Sequence, residues 1–138
     1  MGKDSKSQKE PVYAWYYVKL QQAYISEAVA IGNWQIIGYK GPGNQGTGAS
    51  SSGGATSGTT NFNYKDADGY TNNTVALSES TVGWTASNVA QLNDCTAGDN
   101  WTVTVTAASA GSAGEASFTA TVDGSCTDLT PNFDKIGK

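Results

Sequence analysis

The chain has 138 residues, enough for one core and too few to divide comfortably into two domains. Eight Lys and no Arg or His stand against twelve Asp plus Glu, for a net charge of -4 and a pI near 4.5, which is unsuited to covering nucleic-acid phosphates and excludes imidazole acid/base chemistry, a Ser-His-Asp triad and His-ligated zinc or iron. Aliphatic residues are sparse, but four Trp, seven Tyr and three Phe supply the apolar area that a folded core requires.

In chain order, Met1 to Glu10 (MGKDSKSQKE) is polar throughout and lacks the apolar centre of a signal peptide. It is expected to be a disordered, solubilising leader or tag remnant ahead of a single globular domain, residues 11–138. From Pro11 the segment PVYAWYYVKLQQAYISEAVAIG has no internal Gly or Pro before Gly32-Asn33, which predicts one long helix over about residues 12–31. At 100° per residue, Tyr13, Tyr17, Leu20, Tyr24, Ala28 and Ile31 form one apolar stripe, and Val18, Ile25 and Val29 form a second about a third of a turn away. A helix on one small sheet needs a single stripe, so the second is expected to meet another chain.

WQIIGY, residues 34–39, has strand composition and ends at Gly41-Pro42-Gly43. The Gly/Ser/Thr-rich stretch 41–60 is expected to be a mobile surface loop. Antiparallel strands are expected within about residues 61–126. The short runs Phe62 to Tyr64 and Val75 to Leu77 flank the turn chemistry of KDADGYTNN, and TVGWTA follows. NWTVTVTA (100–107) and ASFTATV (116–122) alternate well and read as a hairpin with a flexible tip, ASAGSAGE. Cys95 and Cys126 bracket that hairpin and, as the only two cysteines in Thr/Gly/Asp-rich surroundings, read as one disulfide in an extracellular protein. The expected fold class is therefore α+β: the long N-terminal helix packed on an antiparallel β-sheet, with the C-terminal hairpin clamped by the disulfide. No run of eighteen apolar residues is present.

Four features resemble bacterial type IV pilins and type II secretion pseudopilins whose hydrophobic N-terminal half-helix has been removed. They are the helix carrying QQAYISEA, the glycine-rich loop behind it, the antiparallel sheet, and the C-terminal disulfide. YVKLQQAYISEAVAIGNWQIIGYKGPG also resembles the helix-to-loop segment of pilin-like proteins from fibre-degrading bacteria. The cleavage-site Gly, the mature N-terminal Phe, the Glu at the fifth mature position and the apolar span of that family have no counterpart in this sequence. The resemblance implies a pilin-like fold and a non-enzymatic structural subunit of an extracellular, cell-surface filament, acting by self-assembly and by adhesion. Its parent would be inserted in the inner membrane and methylated at its N-terminus. Partners would be other copies and related pilins. On this reading Trp15, Val18, Ile25 and Val29 form the assembly face and Tyr17, Leu20, Tyr24 and Ile31 the core face, and the two assignments are interchangeable.

Other chemistry-bearing residues compete with bland uses. Asp66-Ala67-Asp68-Gly69 resembles the start of a calcium loop, and the pseudopilin family implies calcium, but Leu77 stands where the twelfth-position Glu of an EF-hand belongs. A plain Asp-Gly turn is the alternative, and no cofactor is otherwise expected. Asp94, Asp99, Asp123 and Asp128 form a second acidic set. Trp34, Trp84 and Trp101, with Tyr70, are candidates for stacking on sugar rings in a surface polysaccharide-binding module, which would make insoluble polysaccharide a partner. Glu27, Glu79 and Glu115 have no spacing suggestive of a glycosidase pair. Asn72-Asn73-Thr74 and Asn100-Trp101-Thr102 match N-glycosylation sequons.

Overall fold

A computed structural model describes residues 10–108 and 115–138; the polar leader up to residue 9 and the hairpin tip 109–114 lie outside the described residues. Helix α1 (Glu10–Ala28) is followed by β1 (Ala30–Gly32), the short helix α2 (Trp34–Ile37), β2 (Asn44–Gln45), β3 (Thr56–Gly58), β4 (Phe62–Lys65), β5 (Thr74–Ala76), β6 (Thr81–Asn88), β7 (Gly98–Ala107) and β8 (Ala116–Val122). Two 3-10 turns, Gly124–Leu129 and Phe133–Lys135, complete the described chain.

This architecture corrects the α+β, pilin-like expectation. Strand residues make up 38 % and helical residues 25 % of the structure, with one helix longer than seven residues and a mostly antiparallel sheet. Six strands run in the order β2-β3-β4-β6-β7-β8, every neighbouring pair antiparallel. A separate two-stranded ladder joins β1 to β5.

α1 starts with Pro11 in its first turn, where the absent N–H costs nothing. Ala14, Tyr17, Val18, Gln21 and Ile25 are its buried residues, and spacings of three and four place them on one line along the helix. Tyr17 of one stripe read from the sequence and Val18 and Ile25 of the other thus share one buried face, while Ala28 and Val29 are exposed. Val18 and Ile25, expected on an assembly surface, lie in the core; Trp15 and Val29 are exposed. Tyr17 and Ile31 are buried, while Leu20 and Tyr24 are half-buried against the core.

The helix ends at Ala28, short of the expected residue 31. Val29 takes φ 53, and the chain leaves as β1, with Ala30 opposite Ala76 and Gly32 opposite Thr74. The free edge of β1 is satisfied by a side chain: the Gln21 amide accepts from Gly32 N at 2.9 Å and donates to Gly32 O at 2.8 Å, and it also donates to the Tyr17 hydroxyl at 3.0 Å. A buried glutamine on the core line of a helix therefore acts as a short extra strand.

WQII is helical rather than a strand. Asn33 caps it by accepting from Ile36 N at 2.8 Å, and Asp66 accepts from Trp34 N at 2.8 Å. The glycine-rich stretch expected to be a loop contains β2 and β3, paired Asn44 to Gly58 and Gln45 to Ser57. Its composition follows from close approach: a Cβ on Gly46 would lie 1.9 Å from Thr56 Oγ1. Small residues here permit an edge ladder rather than prevent one.

The inner sheet face supplies Phe62, Tyr64, Trp84, Trp101, Val103, Val105 and Phe118, all buried. Phe62 meets Trp101 edge-on with centroids 5.6 Å apart, Trp34 meets Tyr39 at 4.7 Å, and Phe133 from the last 3-10 turn reaches Trp84 at 5.9 Å. The outer face of β7 and β8 presents hydroxyls, with Thr102 opposite Thr121, Thr104 opposite Thr119 and Thr106 opposite Ser117.

Candidate functional site

The three tryptophans considered as a sugar platform are core residues. Trp34 is 1 % exposed, and Trp84 and Trp101 are fully buried. Each indole N–H is satisfied internally, by Gly83 O at 2.8 Å, Tyr39 Oη at 2.9 Å and Thr130 Oγ1 at 2.8 Å respectively. Tyr70, also buried, donates to Asp66 at 2.9 Å. In a chain short of aliphatics the indoles are the core, and none offers a ring face to a glycan.

Asp66 was a candidate calcium ligand, yet its carboxylate accepts from Trp34 N, from Ala67 N at 2.7 Å and from the Tyr70 hydroxyl. Burial raises its pKa to about 6, against the opposing pull of those three donors. Asp68 is exposed. Both line an open polar groove of about 590 Å³ with Glu79 and Asp99, and Asp99 is engaged by Lys65 at 2.9 Å and by the Ser87 hydroxyl. These two contacts, Ser87 first, hold the Asp99 carboxyl below its ordinary range. Among the described residues no group of three or more His, Cys, Asp or Glu converges as a metal site. Through these hydrogen bonds Asp66 ties α2 to the turn after β4.

Glu27 stands in the last turn of α1, Glu79 in the turn after β5, and Glu115 beside a small cleft with Gln22, Ile25, Ser26 and Phe118. The three stand on different segments, and among the described residues no group of three or more acidic side chains forms. Cys95 and Cys126 are joined by a disulfide. Asn100 packs against that bridge, donating to Asn88 Oδ1 and Thr96 O at 2.7 Å each, so this sequon nitrogen is consumed by the loop. Asn72 is exposed, with φ 51, in the turn closed by Thr71 and Thr74.

The feature that remains is apolar. At the start of α1, Val12 is 67 % exposed, Tyr16 54 % and Trp15 40 %. Val12, Trp15 and Ile136 line a shallow cleft of about 340 Å³ together with Pro11, Asn132, Lys135 and Lys138. Lys19 lies over the Trp15 ring at 5.3 Å, so the cleft has an apolar floor and a lysine rim. The filament reading of the sequence assigned Trp15 to the assembly face but named neither Val12 nor Tyr16, and Ile136, which is buried, adds a wall of the cleft. The signal available was the run Val12-Tyr13-Ala14-Trp15-Tyr16-Tyr17, which is apolar all round and exceeds what one buried line can absorb. No helix among the described residues is long and apolar enough to cross a membrane. No family model, no curated protein and no solved structure matches the chain.

Proposed function

We propose that the chain is a structural, non-enzymatic subunit of an extracellular pilus-like filament that acts by binding other copies of itself. The observation that carries this reading is the exposure of Val12, Trp15 and Tyr16 at the start of α1, where Val12 and Trp15 line a shallow cleft beside the buried Ile136. Large aromatic and aliphatic side chains grouped at one end of a helix are typical of protein contact surfaces and wasteful elsewhere. The disulfide supports an oxidising, extracellular setting, and the pilin resemblance of the helix segment supports a filament. Adhesion to polysaccharide through the three tryptophans loses its basis, because their rings are internal.

The test is self-association of the soluble chain by sedimentation from micromolar to millimolar concentration, together with electron microscopy of concentrated samples. Wild type is expected to form oligomers, and Trp15→Glu, at an exposed position that leaves the core intact, is expected to remain monomeric with an unchanged thermal midpoint. Monomeric wild type throughout that range would defeat the proposal.

A further inference from the structure

We infer that a second cleft, between the start of α1 and the turn joining β3 to β4, is a binding site for a neutral saccharide. It encloses about 500 Å³ and is lined by Tyr13 from α1, Asn44 from β2, Thr59 and Thr60 from the turn, and Phe62 and Tyr64 from β4. That volume falls within the range of small-ligand sites. The acidic groove around Asp68, the cleft beside Trp15 and the small cleft beside Phe118 all carry a carboxylate or a lysine. No charged side chain lines this one. An ionic ligand would leave water here without gaining a partner, so a neutral one is favoured.

The floor is aromatic. Phe62 and Tyr64 are each 1 % exposed, and Tyr13, half-buried, is fixed against Tyr64 edge-on with centroids 6.0 Å apart. The accessible part of the Tyr13 ring suits the apolar C–H face of a pyranose. Asn44 and Thr60 are exposed at the same cleft, and among the described residues no hydrogen bond engages the Asn44 amide or the Thr60 hydroxyl. Together they offer donors and acceptors side by side, the pattern that neighbouring sugar hydroxyls can satisfy. Thr59 serves the turn itself, its hydroxyl accepting from Phe62 N at 3.3 Å. The remaining wall is bare backbone: Gly43 takes φ 82, and a Cβ on it would lie 2.0 Å from Gly58 O, so a ligand can approach the main chain closely. A wholly apolar ligand would strip water from the amide and the hydroxyl without replacing it. A neutral polyol with one apolar face uses both kinds of surface. Tyr13 stands about 200° around α1 from Trp15, so the site is separate from the self-contact and does not depend on it.

The test is a titration of the isotope-labelled chain with the methyl glycosides of glucose, galactose, mannose and N-acetylglucosamine, followed by the NMR shifts of the Gly43, Asn44, Gly58 and Thr60 amides. At least one glycoside is expected to shift these amides saturably, in the millimolar range and equally at low and high salt. Asn44→Ala, at an exposed position, is expected to weaken binding about threefold to tenfold. Tyr13→Leu keeps apolar bulk against Tyr64 but removes the ring and is expected to weaken it about tenfold, whereas Tyr13→Phe retains it; thermal midpoints verify that each variant is folded. The inference is overturned if none of the four glycosides moves these amides, if binding is strongly salt-dependent, or if a folded Tyr13→Leu binds as well as wild type. Each of those results leaves the self-association test untouched.

Discussion

Two side chains do work that their residue types conceal. Gln21, fully buried, closes the open edge of β1 through both backbone groups of Gly32, and Asp66 holds the first amide of α2. Asp66 also makes stability depend on pH, with a sign opposite to that of a salt-bridged carboxylate. Its folded pKa of about 6 lies above the ordinary value of about 3.9 for an unfolded aspartate. Folding therefore favours the protonated form. The resulting stabilisation is complete below the unfolded value and is lost as pH rises through about 6, for an effect on the order of 3 kcal/mol. Asp99, whose pKa is lowered, works in the other direction, losing its contribution as pH falls through the carboxylate range; its exposure keeps that contribution small. The thermal midpoint is expected to rise on acidification from pH 7.5 to pH 5, and Asp66→Asn should flatten that rise. A midpoint that falls steadily over the same interval would show that the three hydrogen bonds outweigh burial at Asp66.

At the scale of elements, docking of α1 on the sheet depends on a missing side chain. Gly83 sits between Val82 and Trp84, where the register of β6 on β7 shifts. A Cβ there would lie 1.8 Å from the Tyr17 hydroxyl, and the Gly83 carbonyl receives the Trp34 indole. Gly83→Ala must displace a fully buried tyrosine, so it is expected to cost about 1 to 3 kcal/mol and to lower the denaturant midpoint without changing the m-value. An unchanged midpoint would mean that the helix rides on the sheet less tightly than its geometry says. The alternation of NWTVTVTA and ASFTATV identified β7 and β8 because one face is buried and the other wet, the condition under which period-two reasoning works. WQII misled because tertiary partners, the Asn33 cap and the Asp66 carboxylate, outweigh its strand propensity. The glycine-rich stretch misled for a different reason: composition records the backbone freedom of Gly43 and Gly46, not whether that freedom serves a loop or a close-packed edge ladder.

For the whole molecule, the sequence led to the expectation that a second stripe of α1 must meet another chain, whereas Val18 and Ile25 of that stripe are covered within the monomer and only Val29 of it is exposed. Periodicity fixes direction around a helix axis and says nothing about how far along the axis the rest of the chain extends. Val18 and Ile25 are therefore covered, while the excess collects at the ends, in Val12, Trp15 and Tyr16 and in Val29. The same thin core makes the disulfide important to global stability. Cys95 precedes β7 and Cys126 follows β8, 31 residues apart, and the buried amide of Asn88 organises the turn leading from β6 to Cys95 by donating to Cys95 O and Ala90 O at 3.0 Å each. A closed loop of that length is worth about 3 to 4 kcal/mol in the chain-entropy account, a large share of the 5 to 15 kcal/mol typical of a domain. Paired Cys95→Ser and Cys126→Ser substitutions are expected to lower stability by that amount in denaturant titrations. Because the exposed apolar residues of the proposed contact, Val12 and Trp15, stand on α1, the reduced-stability variant should still associate at temperatures below its own midpoint. Loss of association while the fold remains intact by circular dichroism would place the disulfide region, rather than the start of α1, in the contact between copies.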